Sequence, residues 1–537
     1  MSKFDFLNSM EKNTNLTYTE NGALTNKSSL NACLDLFSLA GSMRNRSEED
    51  ITRLLDLALA EDPLTALKYV FYNGDIRCGL GERRTFRIML NHLAKNYPEY
   101  LKSNVHLIPH FNRWDSLYAL DETKLERAAY DLIKAQLKED IASDNPSLCA
   151  KWLPSKNASS KETKRLAKKT SLSLNLCNFT GDIDKKTLYK NEEKYRKTLS
   201  ELRSKINIVE KKMSNSEFSN IDYSKIPSNA MNRYTKAFYN RDGERFEEFI
   251  NDALLSKAKL NSKTLYPYEI VHKILNGKTK KDIEKTIAEL QWTGLPDYVE
   301  GKDLKGLCVV DTSGSMWGTP MEVAISLGLY CAERCTGAFK DKFITFSSNP
   351  QIQTVRGRNV VEKVKNMESA DWGMSTNIEK VFDLILNTAV DNNSPQEDIP
   401  EYLFIISDME FDSAMSINRS LGYRYRRYDS SNSEFNAYKN TLFNTIANRF
   451  EACGYKMPTL VFWNVDARNN QCPMTADENG WVAVSGFSPT IFKAVLNGII
   501  LEEEETEDEI ITKRASVNPI EVMMNTLYCE RYEEVKF

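Results

Sequence analysis

Two hydrophobic rhythms divide this chain. Through residues 31–300 apolar positions recur three and four apart. Ile51, Leu54, Leu55 and Leu59 share one helix face within 48–60, as do Tyr195, Leu199, Leu202, Ile206 and Val209 within 191–212. The same spacing predicts helices over 31–39, 64–72, 82–96, 123–139, 161–169, 229–239, 244–257, 268–275 and 283–290, with a loop over 170–184. Short helices joined by tight loops suggest a helical-repeat array, although no repeat of fixed length stands out.

Beyond residue 306 the rhythm changes. Short apolar, partly β-branched runs at 307–310, 342–346, 402–407, 459–464 and 481–484 alternate with helical stretches at 321–336, 377–387, 434–453 and 489–496. Such alternation predicts a parallel sheet with helices on both faces. The expected fold class is therefore α + α/β, an α-helical half followed by a Rossmann-like half. The expected plan is a flexible segment 1–30, a helical domain 31–300 with a basic insertion at 151–212, a sheet domain 301–500, and an acidic loop plus closing helix at 501–537.

Length and composition narrow the classes. A chain of 537 residues is too long for one core. No apolar run approaches the ~20 residues of a membrane span, and the N-terminus MSKFDFLNSM has no signal-peptide core. Ten cysteines are scattered without a CxxC pair, which reads as reduced thiols in a cytoplasmic protein rather than as zinc ligands. The net charge of −4 is uninformative, but its distribution is not. Residues 151–212 carry seventeen Lys/Arg against seven Asp/Glu, and residues 502–509 hold seven acidic residues in eight. The first stretch could face phosphate; the second reads as a solvated loop.

The candidate chemistry sits where the predicted strands end. The run 307–310 stops at Asp311 in CVVDTSGSM, and the run 402–407 stops at Asp408 in FIISDME. In an open parallel sheet, loops at the carboxyl ends of the strands form the ligand crevice. The spacing D-x-S-x-S lets Asp311, Ser313 and Ser315 aim at one point. With Asp408, and with Thr376 from the intervening loop, they make an all-oxygen site suited to Mg²⁺ or another divalent cation. A cation so held keeps a coordination position that attracts a carboxylate or phosphate.

These motifs resemble the metal-ion-dependent adhesion site of von Willebrand factor A (vWA) domains. DTSGS matches the first loop, Ser375–Thr376 the threonine loop and Ser407–Asp408 the third. The resemblance implies Asp311, Ser313, Ser315, Thr376 and Asp408 as ligands. One departure is that Met409 and Glu410 follow the final Asp, where many members have Gly, so Glu410 adds negative charge nearby.

A helical half before a vWA half is similar to the TROVE-plus-vWA architecture of Ro autoantigens. More specifically, the chain resembles the DUF2828 family in TENGALTNKSSLNACLDLF, DIRCGLGERRTFRIML, HFNRWDSLYAL, IPSNAMNRYTKAF and NPIEVMMNTLYCERYEEV. The Ro likeness implies a ring of HEAT-like repeats that binds structured or single-stranded RNA, hence a ribonucleoprotein scaffold. Candidate phosphate contacts are Arg77, Arg83, Arg84 and Arg87 around GLGERR, and Lys164, Arg165, Lys168 and Lys169. Each of these groups can equally be a solvated basic face. GLGERR lacks the GK[ST] ending of a nucleotide-binding P-loop.

A second reading keeps only the cation, as a Mg²⁺-dependent module that captures an acidic group of a protein partner, for which an AAA+ ATPase is a candidate. An enzyme such as a metal-dependent nuclease is disfavoured, because two-metal hydrolysis needs more carboxylates. The four histidines, His92, His106, His110 and His272, suggest no catalytic set.

Overall fold

Runs such as LCVV and YLFIIS can satisfy their backbones in a buried setting only by pairing with one another. They do so in a computed structural model of the chain, which describes residues 14–179, 184–206, 208–279, 281–299, 302–346, 349–370, 377–412, 442–497, 501–505, 510–514 and 517–537. Two N-terminal strands, β1 (Leu16–Tyr18) and β2 (Leu24–Asn26), form an antiparallel hairpin. The main strands follow as β3 (Gly306–Val310), β4 (Lys342–Thr345), β5 (Ile352–Thr354), β6 (Tyr402–Ser407), β7 (Thr459–Asn464) and β8 (Trp481–Ser485). Among the described residues they make one six-stranded sheet of order β5-β4-β3-β6-β7-β8, parallel except for β5, which runs antiparallel to β4.

Successive residues of β7 show how the sheet is covered. Phe462 meets Phe443 of the helix Leu442–Ala452, at 4.7 Å between ring centroids. Trp463, on the opposite face, meets Phe492 of the helix Thr490–Asn497 at 4.8 Å. Helices therefore cover both faces, as a fully buried parallel sheet requires. On the Trp463 face the helix Thr319–Arg334 packs against β3. There a Cβ on Gly328 would stand 2.4 Å from Val310 Cγ2, so only glycine admits this approach.

The described residues divide into two compact units, Met1–Tyr69 with Leu265–Glu530, and Val70–Thr264 with Arg531–Phe537. This division differs from the cut expected near residue 300. The helices Ala32–Leu39, Glu48–Glu61, Pro267–Leu275 and Asp282–Thr293 belong with the sheet. The reason is visible in their contacts: Ser485 of β8 donates to the Phe37 carbonyl at 3.2 Å, and Ser42 donates to Asn464 Oδ1 at 3.0 Å. The chain from 14 to 30, expected to be flexible, is likewise tied in. The backbones of Asn26 and Cys472 exchange hydrogen bonds of 3.1 and 2.9 Å.

The second unit is helical, with Arg84–Asn96, Glu126–Ala142, Lys161–Leu174, Lys185–Lys205, Ser228–Arg241 and Gly243–Leu254 as its longer elements. Helix continues through Leu174, where a loop was expected, and stops at Asn175 in the left-handed region (φ 43°). The long helix expected over 191–212 is instead two, Lys185–Lys205 and Val209–Ser214. The C-terminal residues also belong to this unit. Arg531 grips the buried Asp75 through two bonds of 2.9 and 3.1 Å, and Tyr532 donates to it at 3.2 Å. The acidic run expected as a loop enters a hairpin, Leu501–Glu505 paired with Ile510–Arg514. No described helix is long and apolar enough to cross a membrane.

Candidate metal centre

Adjacent parallel strands bring the two key carboxylates together. Val310 of β3 lies opposite Ile406 of β6, and the Asp311 N–H extends that ladder by donating to the Ile406 carbonyl at 3.0 Å. Strands in register stand about 4.8 Å apart, so Asp311 and Asp408 leave the sheet side by side. Both are buried. Ser407 Oγ donates to Asp311 Oδ2 at 2.5 Å, and the Ser313 N–H donates to Oδ1 at 2.9 Å. Ser313 and Ser315 share a hydroxyl–hydroxyl bond of 3.0 Å, so the alternation in DTSGS does converge two oxygens on one spot. Thr376 lies outside the described residues, as does the Tyr/Arg-rich run at 423–428.

The electrostatics of this pair are unresolved internally. Burial pushes the Asp311 carboxyl up from 3.8 to about 6, and the nearby Asp408 charge adds to the rise. Asp408 Oδ1 accepts from the Glu410 N–H at 3.2 Å, but its Oδ2 is buried with no hydrogen-bond partner. Arg468 stands beside it, with Nε 3.6 Å from that oxygen. Arg468 is shared with Glu20 (3.6 Å) and Asp466 (3.5 Å), and it donates to the Ser315 carbonyl. Among the described residues no cluster of three or more His, Cys, Asp and Glu could hold a metal. A coordination sphere drawn from the described residues would have to add hydroxyls to the two carboxylates.

Glu410 proves to be occupied elsewhere. It is buried, accepts from the Glu20 N–H at 2.7 Å and from Asn469 Nδ2 at 2.8 Å, and its carbonyl accepts from Asn21 at 2.7 Å. Burial raises its carboxyl above the usual range. It anchors the β1–β2 hairpin beside the site rather than adding a ligand to it.

Three residues here escaped sequence reasoning. Arg468 and Asp466 follow β7 in the run WNVDARN, one strand beyond Asp408, and that topological position was the available signal. Trp317 directly follows the serine loop, yet its side chain is 84% exposed.

The basic candidates lie in the helical unit and divide into two kinds. Arg165 and Lys169 are consumed by ion pairs. Arg165 meets Asp121 (2.5 Å), Glu122 (3.1 Å) and Glu162 (2.8 Å); Lys169 meets Asp121 (2.6 Å) and Glu126 (2.7 Å). Lys164 and Lys168 are exposed on the same helix. Arg77, Arg83 and Arg84 are exposed and Arg87 is half-buried, and Arg83 and Arg87 turn toward Asp115. The glycines of GLGERR serve the turn itself. A Cβ on Gly79 would stand 2.0 Å from the Tyr72 carbonyl oxygen, and Gly81 has φ 65°.

Comparison with known proteins gives the family. The crystal structure of the Ro protein (RSR) of Deinococcus radiodurans covers 88% of this chain and 100% of its own, at 12% identity and a TM-score of 0.41, and at those values it decides nothing about this chain. An uncharacterised protein of Acanthamoeba polyphaga mimivirus is 29% identical over 525 residues, 90% of this chain and 85% of its own length. A domain of unknown function, DUF7788, matches residues 305–527, so it takes in β3 through β8 and the carboxylate pair. A second, DUF2828, matches 19–113 and 124–302, just over half of the chain. The chain belongs to the DUF2828 family.

Proposed function

We propose that this protein is an RNA-binding scaffold whose sheet-bearing unit holds a divalent cation, most simply Mg²⁺. One observation carries the cation: the buried Asp408 Oδ2, which has no hydrogen-bond partner and only Arg468 at 3.6 Å, beside Asp311, itself pushed toward neutrality, with two serine hydroxyls converging on the same rim. Leaving such an oxygen without a donor costs about 1–3 kcal/mol, more for a charged group, and a bound cation would remove that cost. Asp311, Asp408, Ser313 and Ser315 fit a hard, oxygen-seeking ion, and Thr376 is proposed as a further ligand. Such an ion supplies a positive centre for a carboxylate or phosphate. The chain's own residues position it and, through Arg468, supply part of the neutralising charge when it is absent.

RNA binding rests on the Ro resemblance of the sequence and on exposed cations of the helical unit, Arg77, Arg83, Arg84, Lys164 and Lys168. Capture of an acidic protein partner at the cation is the second reading, favoured by the exposure of Trp317. Isothermal titration of EDTA-stripped protein with Mg²⁺ and Mn²⁺ tests the ion. Saturable binding that vanishes in Asp311→Asn and Asp408→Asn is expected, and equal heats in all three proteins would refute it. Filter binding of single-stranded RNA, with and without Mg²⁺, tests the scaffold reading.

A further inference from the structure

Three arginines of the helical unit crowd one carboxylate. Arg113 binds Asp115 through two bonds, Nε to Oδ1 at 2.9 Å and Nη2 to Oδ2. Arg87 Nη2 is 2.8 Å from the same Oδ2 and Arg83 Nη2 is 3.9 Å from it. One carboxylate neutralises one guanidinium, so the group keeps a cationic excess. Arg83 feels it: burial and the charges of Arg113 and Arg87 hold its guanidinium below the usual range. Arg87 Nε is buried with no hydrogen-bond partner, so one strong donor in the cluster is unused. The cluster is rigid on one side, because the Arg113 guanidinium stacks over Trp152 at 3.8 Å while Lys151 approaches the same ring at 5.4 Å. It is open on the other, where the Arg83 side chain is 51% exposed.

Ion pairs near the surface contribute only about 0–1 kcal/mol each, so stability is a weak reason to gather three guanidiniums at one carboxylate. Planar guanidinium forks held at fixed positions match the oxygens of a phosphate. From this we infer that Arg83, Arg87 and Arg113 form a phosphate-binding site, and that its occupant is a backbone phosphate of RNA. The inference rests on the RNA reading above and gives it a location. It extends the basic GLGERR turn to two groups distant in sequence, Arg113 and Lys151. It also sets this cluster apart from Arg165 and Lys169, whose charges are already met by four carboxylates.

The test uses the full chain and a fluorescein-labelled single-stranded RNA oligomer, with affinity measured by anisotropy across a salt series. Compared are wild type, Arg83→Gln/Arg87→Gln, and Lys164→Gln/Lys168→Gln. The arginine variant is expected to bind about tenfold more weakly and to lower the slope of log affinity against log salt by about 1, as loss of one to two phosphate contacts requires. The lysine variant should change both less. Thermal unfolding keeps the outcome interpretable. Because the substitutions relieve like-charge crowding, the arginine variant should melt no lower than wild type. An arginine variant that binds RNA with the wild-type affinity and slope overturns this site and leaves the RNA reading standing. A wild-type protein that binds no RNA overturns both. A marked fall in melting temperature would show the cluster to be structural and overturn the site as well.

Discussion

Asp311→Asn should make the metal-free protein more stable, against the usual expectation for a buried side chain that accepts two hydrogen bonds. The wild-type carboxyl is raised from 3.8 to about 6, burial being the larger cause and Asp408 the second. At about 1.4 kcal/mol per pH unit, keeping it ionised at neutral pH costs about 3 kcal/mol. Asparagine removes that cost, but it weakens the bonds from Ser407 Oγ (2.5 Å) and the Ser313 N–H (2.9 Å), a loss of about 1–2 kcal/mol. The net gain is about 1–2 kcal/mol. Its pH dependence follows from linkage. The folded pKa lies above the unfolded one, so the native state binds the proton more tightly. The Asp311 contribution to wild-type stability is then highest below pH 3.8 and is lost as pH rises to about 6. The difference between variant and wild type should therefore open across that window and stay constant above it. Urea denaturation of both proteins in EDTA, from pH 4 to pH 7.5, measures it. Saturating Mg²⁺ should reverse the order at neutral pH, since only the wild type gains the binding energy. A variant less stable than wild type in EDTA at neutral pH, or a difference that does not vary with pH, would refute the electrostatic argument.

Other outcomes follow from single contacts. Arg468→Met removes the cation 3.6 Å from Asp408 Oδ2 and should raise Mg²⁺ affinity several-fold by calorimetry; unchanged affinity would mean that Arg468 does not compete for the site. Gly328→Ala gains about 1 kcal/mol of helix propensity but drives a methyl against Val310 at 2.4 Å, and strain of about 1–3 kcal/mol should lower the urea midpoint of the sheet-bearing unit. Arg531→Ala leaves the buried Asp75 without a cation, held by Tyr532 and the Arg77 N–H, and should destabilise the helical unit by about 3 kcal/mol, read as early loss of helical circular dichroism. Trp317→Ala, at an exposed position, should leave the melting temperature within about 1 °C while weakening capture of any acidic partner.

What the sequence made legible was decided by burial. Strands β6 and β7 fall where 402–407 and 459–464 were expected, because an uninterrupted apolar run flanked by polar residues has one stable use in such a fold. The placement of Asp311 and Asp408 at neighbouring strand ends follows from the same runs. Strand β5 (IQT) and the helix Val360–Glu368 went unseen: β5 is short, exposed at Ile352 and paired along one edge, so it carries no apolar signature. The compact units depart from the cut expected near residue 300, where the two family matches meet, for a different reason. Periodicity reports that a helix has an apolar face and is silent about what covers it. The helices Ala32–Leu39 and Pro267–Leu275 look like their neighbours in sequence, yet they pack with the sheet. The same blindness applies to charge. Arg83 and Arg165 read alike in the chain, each in a basic run at a helix. One lies among arginines with a single shared carboxylate, the other among three carboxylates, only one of them shared, with Lys169. A cation is free to recognise a ligand only when the fold denies it a partner. Partners are supplied by residues distant in sequence, Asp115 in one case and Asp121 and Glu122 in the other, so the distinction exists only in three dimensions.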